Sequence, residues 1–266
     1  MIDYENELKI DCLKCFGYCC RALYFSKIDG FPYNKKNNEP CIHLMQYFKC
    51  EIHTSLKDKG LKGCLAYDCF GAGQKVAQHT FSNKADYLIE KQYDAFLMMR
   101  SLHEILWYLN EAKQLTTKQE ELIQIENKMN EIHFISLQAV DTLLKNDISQ
   151  IREQVNLILR TISENTRNQY KSKFHCKDYI GKDFKKQKIY GVDFRGALLI
   201  AANLSDCELI GCDFIGADLR DTNIKGANLS QSIFLTQLQM NEACGDDKTI
   251  LPKELQKPNH WIDRKK

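Results

Sequence analysis

The 266-residue chain is poor in proline, with 4, and in tryptophan, with 2. So little proline excludes collagen-like and proline-rich disordered chains. Neither sign of charge is in excess, since 37 Lys and Arg against 35 Asp and Glu leave a formal +2. That balance argues against a nucleic-acid binder and against an acidic DNA mimic. No run approaches the ~18 apolar residues of a membrane span. The start, MIDYENELKI, carries acids and no apolar h-region. These absences predict no signal peptide, no membrane contact and a cytoplasmic protein with free thiols. Gly and Pro are also missing from the whole stretch 85–168.

Cysteine, by contrast, is abundant and unevenly placed. Of 12, eight fall in the first 69 residues: Cys12, Cys15, Cys19, Cys20, Cys41, Cys50, Cys64 and Cys69. Cys176, Cys207, Cys212 and Cys244 lie elsewhere. In a reducing compartment such density points to metal or redox chemistry rather than to disulfides. Thiolates hold zinc, iron or iron–sulfur clusters, and four complete a tetrahedral site. The eight thiols, with His43, His53 and His79, exceed one such site, so all eight are candidate metal ligands. Cys19 and Cys20 are neighbours whose side chains diverge, which suits two metals or a polynuclear centre. The competing reading makes the eight buried small hydrophobes with one redox pair.

Three zones follow. Residues 1–84 show weak periodicity and read as a Cys-rich, metal-stapled domain, because a segment with little apolar core needs a staple. Residues 85–168 read as three amphipathic helices. Their stripes are Leu88, Ala95, Met99, Leu102, Leu106 and Leu109; then Leu122, Ile125, Met129, Ile132, Ala139 and Leu143; then Ile148, Ile151, Val155, Ile158 and Ile162. Thr117 with Glu120 predicts a capping box for the second helix, and Asp147 predicts the start of the third.

Residues 172–236 are periodic. Phe174, Tyr179, Phe184, Ile189, Phe194, Leu199, Leu204, Leu209, Phe214, Leu219, Ile224, Leu229 and Phe234 recur every five positions, 13 in all. Two residues before each, from Val192 on, stands a small or modest side chain, Cys207 and Cys212 included, and those two cysteines read as packing. A fixed period of this kind decides the fold. The stretches Ala202-Asn203-Leu204, Ala217-Asp218-Leu219 and Ala227-Asn228-Leu229 resemble the A(D/N)Lxx pattern of the pentapeptide-repeat family. That resemblance implies a right-handed quadrilateral β-helix with 20-residue coils, in a tower of roughly 15 Å. Lys177, Lys182 and Gln187 stand at the small position and mark a less regular first coil. Residues 237–266 read as a cap and tail, with a short helix over 236–243 and Trp261 as an anchor.

The order C-x2-C-x3-C-C at 12–20, Pro40-Cys41-x-His43-Leu44 and Cys50-x-Ile52-His53 resembles the small cysteine-cluster family of zinc- or iron-chelating proteins. It covers residues 12–69. An Arg-Pro common before that family's late cysteine is replaced here by Lys59-Gly60-Leu61.

Other motifs are weak. Gly71-Ala72-Gly73-Gln74-Lys75 lacks the ending of a phosphate loop and reads as a tight turn after a ligand. His103 on the first long helix reads as an interface residue. The lysine run from Lys171 to Lys188 reads as a solvated face. No complete catalytic motif is present, so the leading expectation is a metal-binding protein, zinc or iron, with a protein-binding solenoid. An enzyme using an iron or iron–sulfur centre is the second expectation. The family resemblance also raises protection of DNA gyrase by DNA mimicry. From Ser172 to Thr236, however, nine basic residues face eight acidic ones, and about nine phosphate charges would fit the tower's length. A topoisomerase-interacting role is therefore the minor alternative.

Overall fold

The computed structural model describes residues 4–28, 30–81, 89–170 and 177–261. Leu88, Phe174, Cys176, Lys171 and Lys173, all part of expectations above, lie outside them. By internal contacts the chain forms two compact units, Met1–Leu159 and Arg160–Lys266. Among the described residues no helix is long and apolar enough to cross a membrane.

The first unit opens with short elements: α1 (Tyr4–Glu7), α2 (Tyr18–Ala22), α3 (Lys62–Ala66) and α4 (Ala72–Lys75). Three-residue 3-10 turns stand among them at Cys12–Lys14, Gln46–Phe48 and His53–Ser55, and a π-turn follows at Val76–Thr80. Two isolated antiparallel bridges, Phe25 with Lys35 and Leu44 with Cys50, pin the loops. Longer helices follow: α5 (Ile89–Leu115), α6 (Gln119–Ser136), α7 (Val140–Leu143) and α8 (Ile148–Arg167), whose residues from Arg160 on belong to the second unit. α5 is the organising element and packs on α1, α2, α4, α6 and α7. Its stripe Ala95, Met99, Leu102, Leu106 and Leu109 is fully buried, as the spacing predicts.

Two local expectations are corrected. Thr117 and Glu120 do not form a capping box, because α6 starts after Lys118, which offers no side-chain cap. The preceding Thr116 braces the entry to the helix instead. Its Oγ1 accepts the Lys118 N–H at 3.2 Å while its hydroxyl donates to Glu121. The stripe from Leu122 to Leu143 is also not one helix. Ser136 Oγ donates to the His133 carbonyl at 2.7 Å, and Leu137 N–H closes a tight last turn on Phe134 O. Such side-chain bonds compete with helix continuation. Asp147 does cap α8, accepting from Ser149 N at 2.9 Å and Gln150 N at 3.2 Å.

The second unit is a stack of parallel coils. The strands β1 (Lys188–Tyr190) and β2 (Glu208–Ile210) pair in parallel, Lys188 opposite Glu208. The bridges Asp178–Leu198, Asp183–Asn203, Asp193–Asp213, Leu198–Asp218, Asn203–Asn223 and Asp213–Ile233 keep the same register of one coil. Every large residue of the five-fold series from Tyr179 to Phe234 is buried, and so is every small one from Val192 to Ser232. Lys177, Lys182 and Gln187 are exposed, which is why the small position degenerates in the first coil.

The physics of each corner is visible. The carbonyl of a large residue accepts the N–H three residues on, as in Lys182 to Tyr179 at 3.1 Å and Ala197 to Phe194 at 2.9 Å. The residue between sits at positive φ, from Gly181 and Lys186 through Ala201 and Asp206 to Gly226. That is the geometry of a type II turn. The Asp or Asn before the large residue accepts the N–H two positions ahead: Asp178 from Ile180, Asn203 from Ser205, Asp218 from Arg220, Asn228 from Ser230. The (D/N) of the pattern is thus a turn-former. Gly191 and Gly211 leave room for Tyr170: a Cβ built on Gly191 would stand 2.6 Å from the Tyr170 Cβ, and one on Gly211 2.5 Å from its ring Cε2.

The tail adds a further partial coil. Asn223 bridges Cys244 and Asn228 bridges Ile250. The cap helix α9 (Gln237–Glu242) starts with a true capping box, Thr236 with Gln239. Gln239 Nε2 also donates to Phe214 O and Ala217 O at 2.8 and 2.9 Å, closing the open end of the stack. Trp261 is buried and donates from Nε1 to Ala243 O at 2.9 Å.

Candidate metal centre

The eight predicted thiols are all free and all lie in the first unit. Asp11 accepts from Leu13 N at 3.1 Å and sets the turn that presents Cys12 and Cys15. Gly17, at φ 66°, then starts α2, whose successive residues Cys19 and Cys20 hold their Sγ atoms 4.0 Å apart. Cys20 O accepts the Cys41 N–H at 2.9 Å, which ties the second segment to the first. His43 N–H points at Cys41 Sγ, 3.4 Å away. Cys50 closes a bridge with Leu44, Cys64 sits in α3 and Cys69 follows it.

These contacts divide the thiols. Cys41 belongs to an apolar cluster with Phe25, Phe31, Ile52, Leu56 and Leu61, and Cys20, Cys50 and Cys64 pack against that cluster. Cys15 instead lies against Gly73, where a Cβ would come within 2.6 Å of its Sγ. Among the described residues no three His, Cys, Asp or Glu side chains converge as one ready ligand set. The donor chemistry suits a soft metal; the staple expected for this zone is not preformed. The spare donors are dispersed as well: His43 Nδ1 pairs with Glu51 Oε1 at 2.7 Å, His53 stands in its own 3-10 turn and His79 in the π-turn.

Burial pushes the Cys12 thiol up to about 11 and the Cys64 and Cys69 thiols up to about 12. Cys20 goes the other way. A hydrogen bond from Cys19 favours its thiolate, and the Lys35 ammonium adds to that, while Cys19 is correspondingly raised. Lys35 is a residue that sequence reasoning missed. It is fully buried, and nothing in Tyr33-Asn34-Lys35-Lys36 separates it from its exposed neighbour.

His103 is buried, with Nδ1 2.7 Å from Phe70 O and Nε2 without a hydrogen-bond partner. Burial drives its imidazole down to about 4. It is a core residue under the Phe70 turn. Gly71, at φ 73°, turns the chain into the four-residue helix α4, and among the described residues no strand precedes it. Within the lysine run Lys177 pairs with Asp193 Oδ1 at 3.1 Å, and Lys182 lies over the Tyr179 ring.

Comparison with known proteins gives two findings. The pentapeptide-repeat family matches residues 183–214 and 197–234, with eight copies. Over 265 residues the chain is 39% identical to the uncharacterized protein YybG of Bacillus subtilis (strain 168), covering 96% of this chain and 95% of that one.

Proposed function

The chain belongs to the family of YybG and carries a pentapeptide-repeat module, and from that premise we propose that it is a metal-binding protein with a protein-interaction solenoid. The thiols of the first unit hold zinc or iron. The observation that carries this reading is the density of free thiols between Cys12 and Cys69, four of them gathered around one apolar cluster. Soft thiolate donors in such number select zinc, iron or an iron–sulfur cluster. Ligand movement on binding would complete a set that is not preformed, since metal binding and folding are commonly coupled. The stacked coils supply a rigid surface of the kind solenoids use to engage other proteins. Elemental analysis of purified protein is expected to find zinc or iron at or above one equivalent. A folded, metal-free protein with eight reactive thiols overturns the reading.

The adjacent Cys19 and Cys20 sulfurs support a second reading, an iron or iron–sulfur centre with redox chemistry. Visible absorbance after anaerobic purification favours it, and a colourless zinc protein rejects it.

A further inference from the structure

One strip of the coil stack departs from what the coil itself prefers. At position 198 leucine replaces the turn-forming Asp or Asn of the pattern, and Leu198 is 40% exposed. It bridges Asp178 on one side and Asp218 on the other. The neighbouring column meets the same need with amides: Asn223 Nδ2 donates to Asn203 Oδ1 at 3.1 Å, and Asn203 Nδ2 to Asp183 Oδ1 at 2.9 Å. Asparagine would suit position 198 equally, whereas leucine forgoes the turn bond and leaves apolar surface in water. The corner that follows holds Ala201 at φ 55°, where glycine would be unstrained. One coil earlier Ile180 is 51% exposed, and the Gly181 N–H to Ile200 O bond of 2.9 Å stacks it against Ile200. Ile180, Leu198 and Ile200 thus form an apolar strip. Asp218 and Arg220 of the next coil border it and neutralise each other through bonds of 2.6–3.0 Å. Around the corner the surface turns basic. Residues 177–190 carry five lysines against Asp178 and Asp183, while residues 191–236 carry three basic side chains against six acidic ones. Lys177 and Lys188 pair with Asp193 and Glu208. Lys182, Lys185 and Lys186 are exposed and, among the described residues, make no ion pair. Lys186 sits at φ 62°, again where a side chain is disfavoured.

We propose that this strip and the lysines beside it are the contact face of the solenoid, and that the partner is an acidic protein segment bearing aliphatic side chains. The inference rests on the reading of the coils as a protein-interaction surface, and it names the face and the chemistry. Local choices that cost the coil and gain it nothing mark a place where function overrides folding. The partner's aliphatic side chains cover Ile180, Leu198 and Ile200, and its carboxylates meet Lys182, Lys185 and Lys186. A nucleic acid fits this face less well. The strip is aliphatic and offers bases no aromatic platform, and the acidic excess of the later coils repels a polyanion running along the stack.

The test titrates the full chain into four fluorescein-labelled probes and reads anisotropy: a peptide of alternating Glu and Leu, a Glu/Ser peptide, a Lys/Leu peptide and oligothymidylate. The Glu/Leu peptide is expected to bind about 10-fold tighter than the others. Leu198→Asn should weaken it by about 10-fold while holding or raising the melting temperature, because asparagine is the residue the coil prefers; such a loss is not one of folding. Lys182→Glu/Lys185→Glu should weaken it by a similar factor, and Ser230→Glu, at a different corner, should leave it unchanged. If Leu198→Asn melts lower than wild type, the lysine pair decides alone. Absence of binding by the Glu/Leu peptide overturns the proposal, and so does binding that Leu198→Asn and the lysine pair leave intact. Oligothymidylate bound as tightly overturns it in favour of nucleic acid. The wider interaction role is judged apart, by a photocrosslinking side chain placed in living cells at Ile200 or at Ser230. Protein adducts from Ser230 alone overturn the face and leave the interaction role standing; adducts from neither position overturn both.

Discussion

In the solenoid, Cys207 Sγ donates to Phe184 O at 2.8 Å and Cys212 Sγ to Ile189 O at 3.2 Å. Thr222, Ser232 and Thr249 make the corresponding bond to Leu199, Leu209 and Ile224 from the same inward position. In the first unit, Cys20 meets another thiol at 4.0 Å and feels a buried ammonium, and Cys41 takes a backbone N–H. The coil therefore prescribes a slot, a small side chain with one weak donor, and cysteine is one of several occupants. The first unit prescribes no repeating slot. There the soft, ionisable sulfur itself is what the surrounding groups address.

The strongest way to break this contrast is to remove metal. A strong chelator is expected to disorder the Cys-rich segment before α5 and leave the coils folded. Structural zinc contributes on the order of 10 kcal/mol to small thiolate domains. Limited proteolysis should show cleavage confined to residues before α5, with the repeats protected. Unchanged proteolysis and melting in stripped protein would show that the thiols are packing residues, as they are in the coil.

Next in size is the coil core. Phe194 and Phe214 are fully buried and stacked at 5.0 Å. Phe214→Ala should cost about 3–5 kcal/mol, by lost transfer energy and the cavity left behind. Urea unfolding followed by circular dichroism measures it. A cost below about 1 kcal/mol would mean the stack collapses freely around the gap, contrary to a register fixed by parallel bridges.

The two regions were legible to different degrees for a physical reason. The coil repeats one local solution, so Tyr179 to Phe234 could be placed inward from spacing alone, and the Asp and Asn of the pattern could be seen before their turn role was known. The positive-φ corners were also written in the sequence, as Gly181, Gly191, Gly196, Gly211, Gly216 and Gly226 at fixed offset from the large residue. In the first unit each loop is solved once. Cys12 to Cys69 announce a chemistry by their density. Which thiols gather around Phe25 depends on long-range pairing such as Cys41 N–H to Cys20 O, which leaves no periodic trace. Lys35 looks like any surface lysine, and Asp213 like any other repeat aspartate. Yet Asp213 is buried between Arg195, at 3.0 Å, and the Ser163 hydroxyl, at 2.5 Å.

A third, smaller effect sharpens the comparison by pH. Burial pushes Asp68 up to about 6, against the Phe70 N–H and Arg100, which favour its carboxylate. The folded state therefore holds a proton that the unfolded chain has released between pH about 4 and 6. Its stabilisation is complete below the unfolded value and is lost as pH rises through 6. His103 acts in the opposite sense: its contribution is present above its ordinary 6.5 and is lost as pH falls through about 4. The two offset each other in mild acid. Asp68→Asn is expected to gain up to ~3 kcal/mol at pH 7 and nothing near pH 4. Its melting temperature should then fall steadily with acid. A variant whose pH profile parallels wild type would show that Asp68 is ionised at no extra cost.

The smallest effect expected is at the coil cysteines. Cys212→Ser keeps a donor in the slot. A serine already fills the equivalent position at 232, with Oγ 2.6 Å from Leu209 O. The change replaces a weak S–H donor by a stronger O–H one and loses a little volume, so the two effects oppose. The melting temperature should move by an amount worth less than about 1 kcal/mol. Metal content should not move at all, because Cys212 faces the Ile189 carbonyl in the stack. Cys20→Ser, measured beside it, should lower metal content. If Cys212→Ser also lowered bound zinc or iron, sulfur in the coil would be a ligand, and the distinction between slot-filling and ligating cysteines would fail.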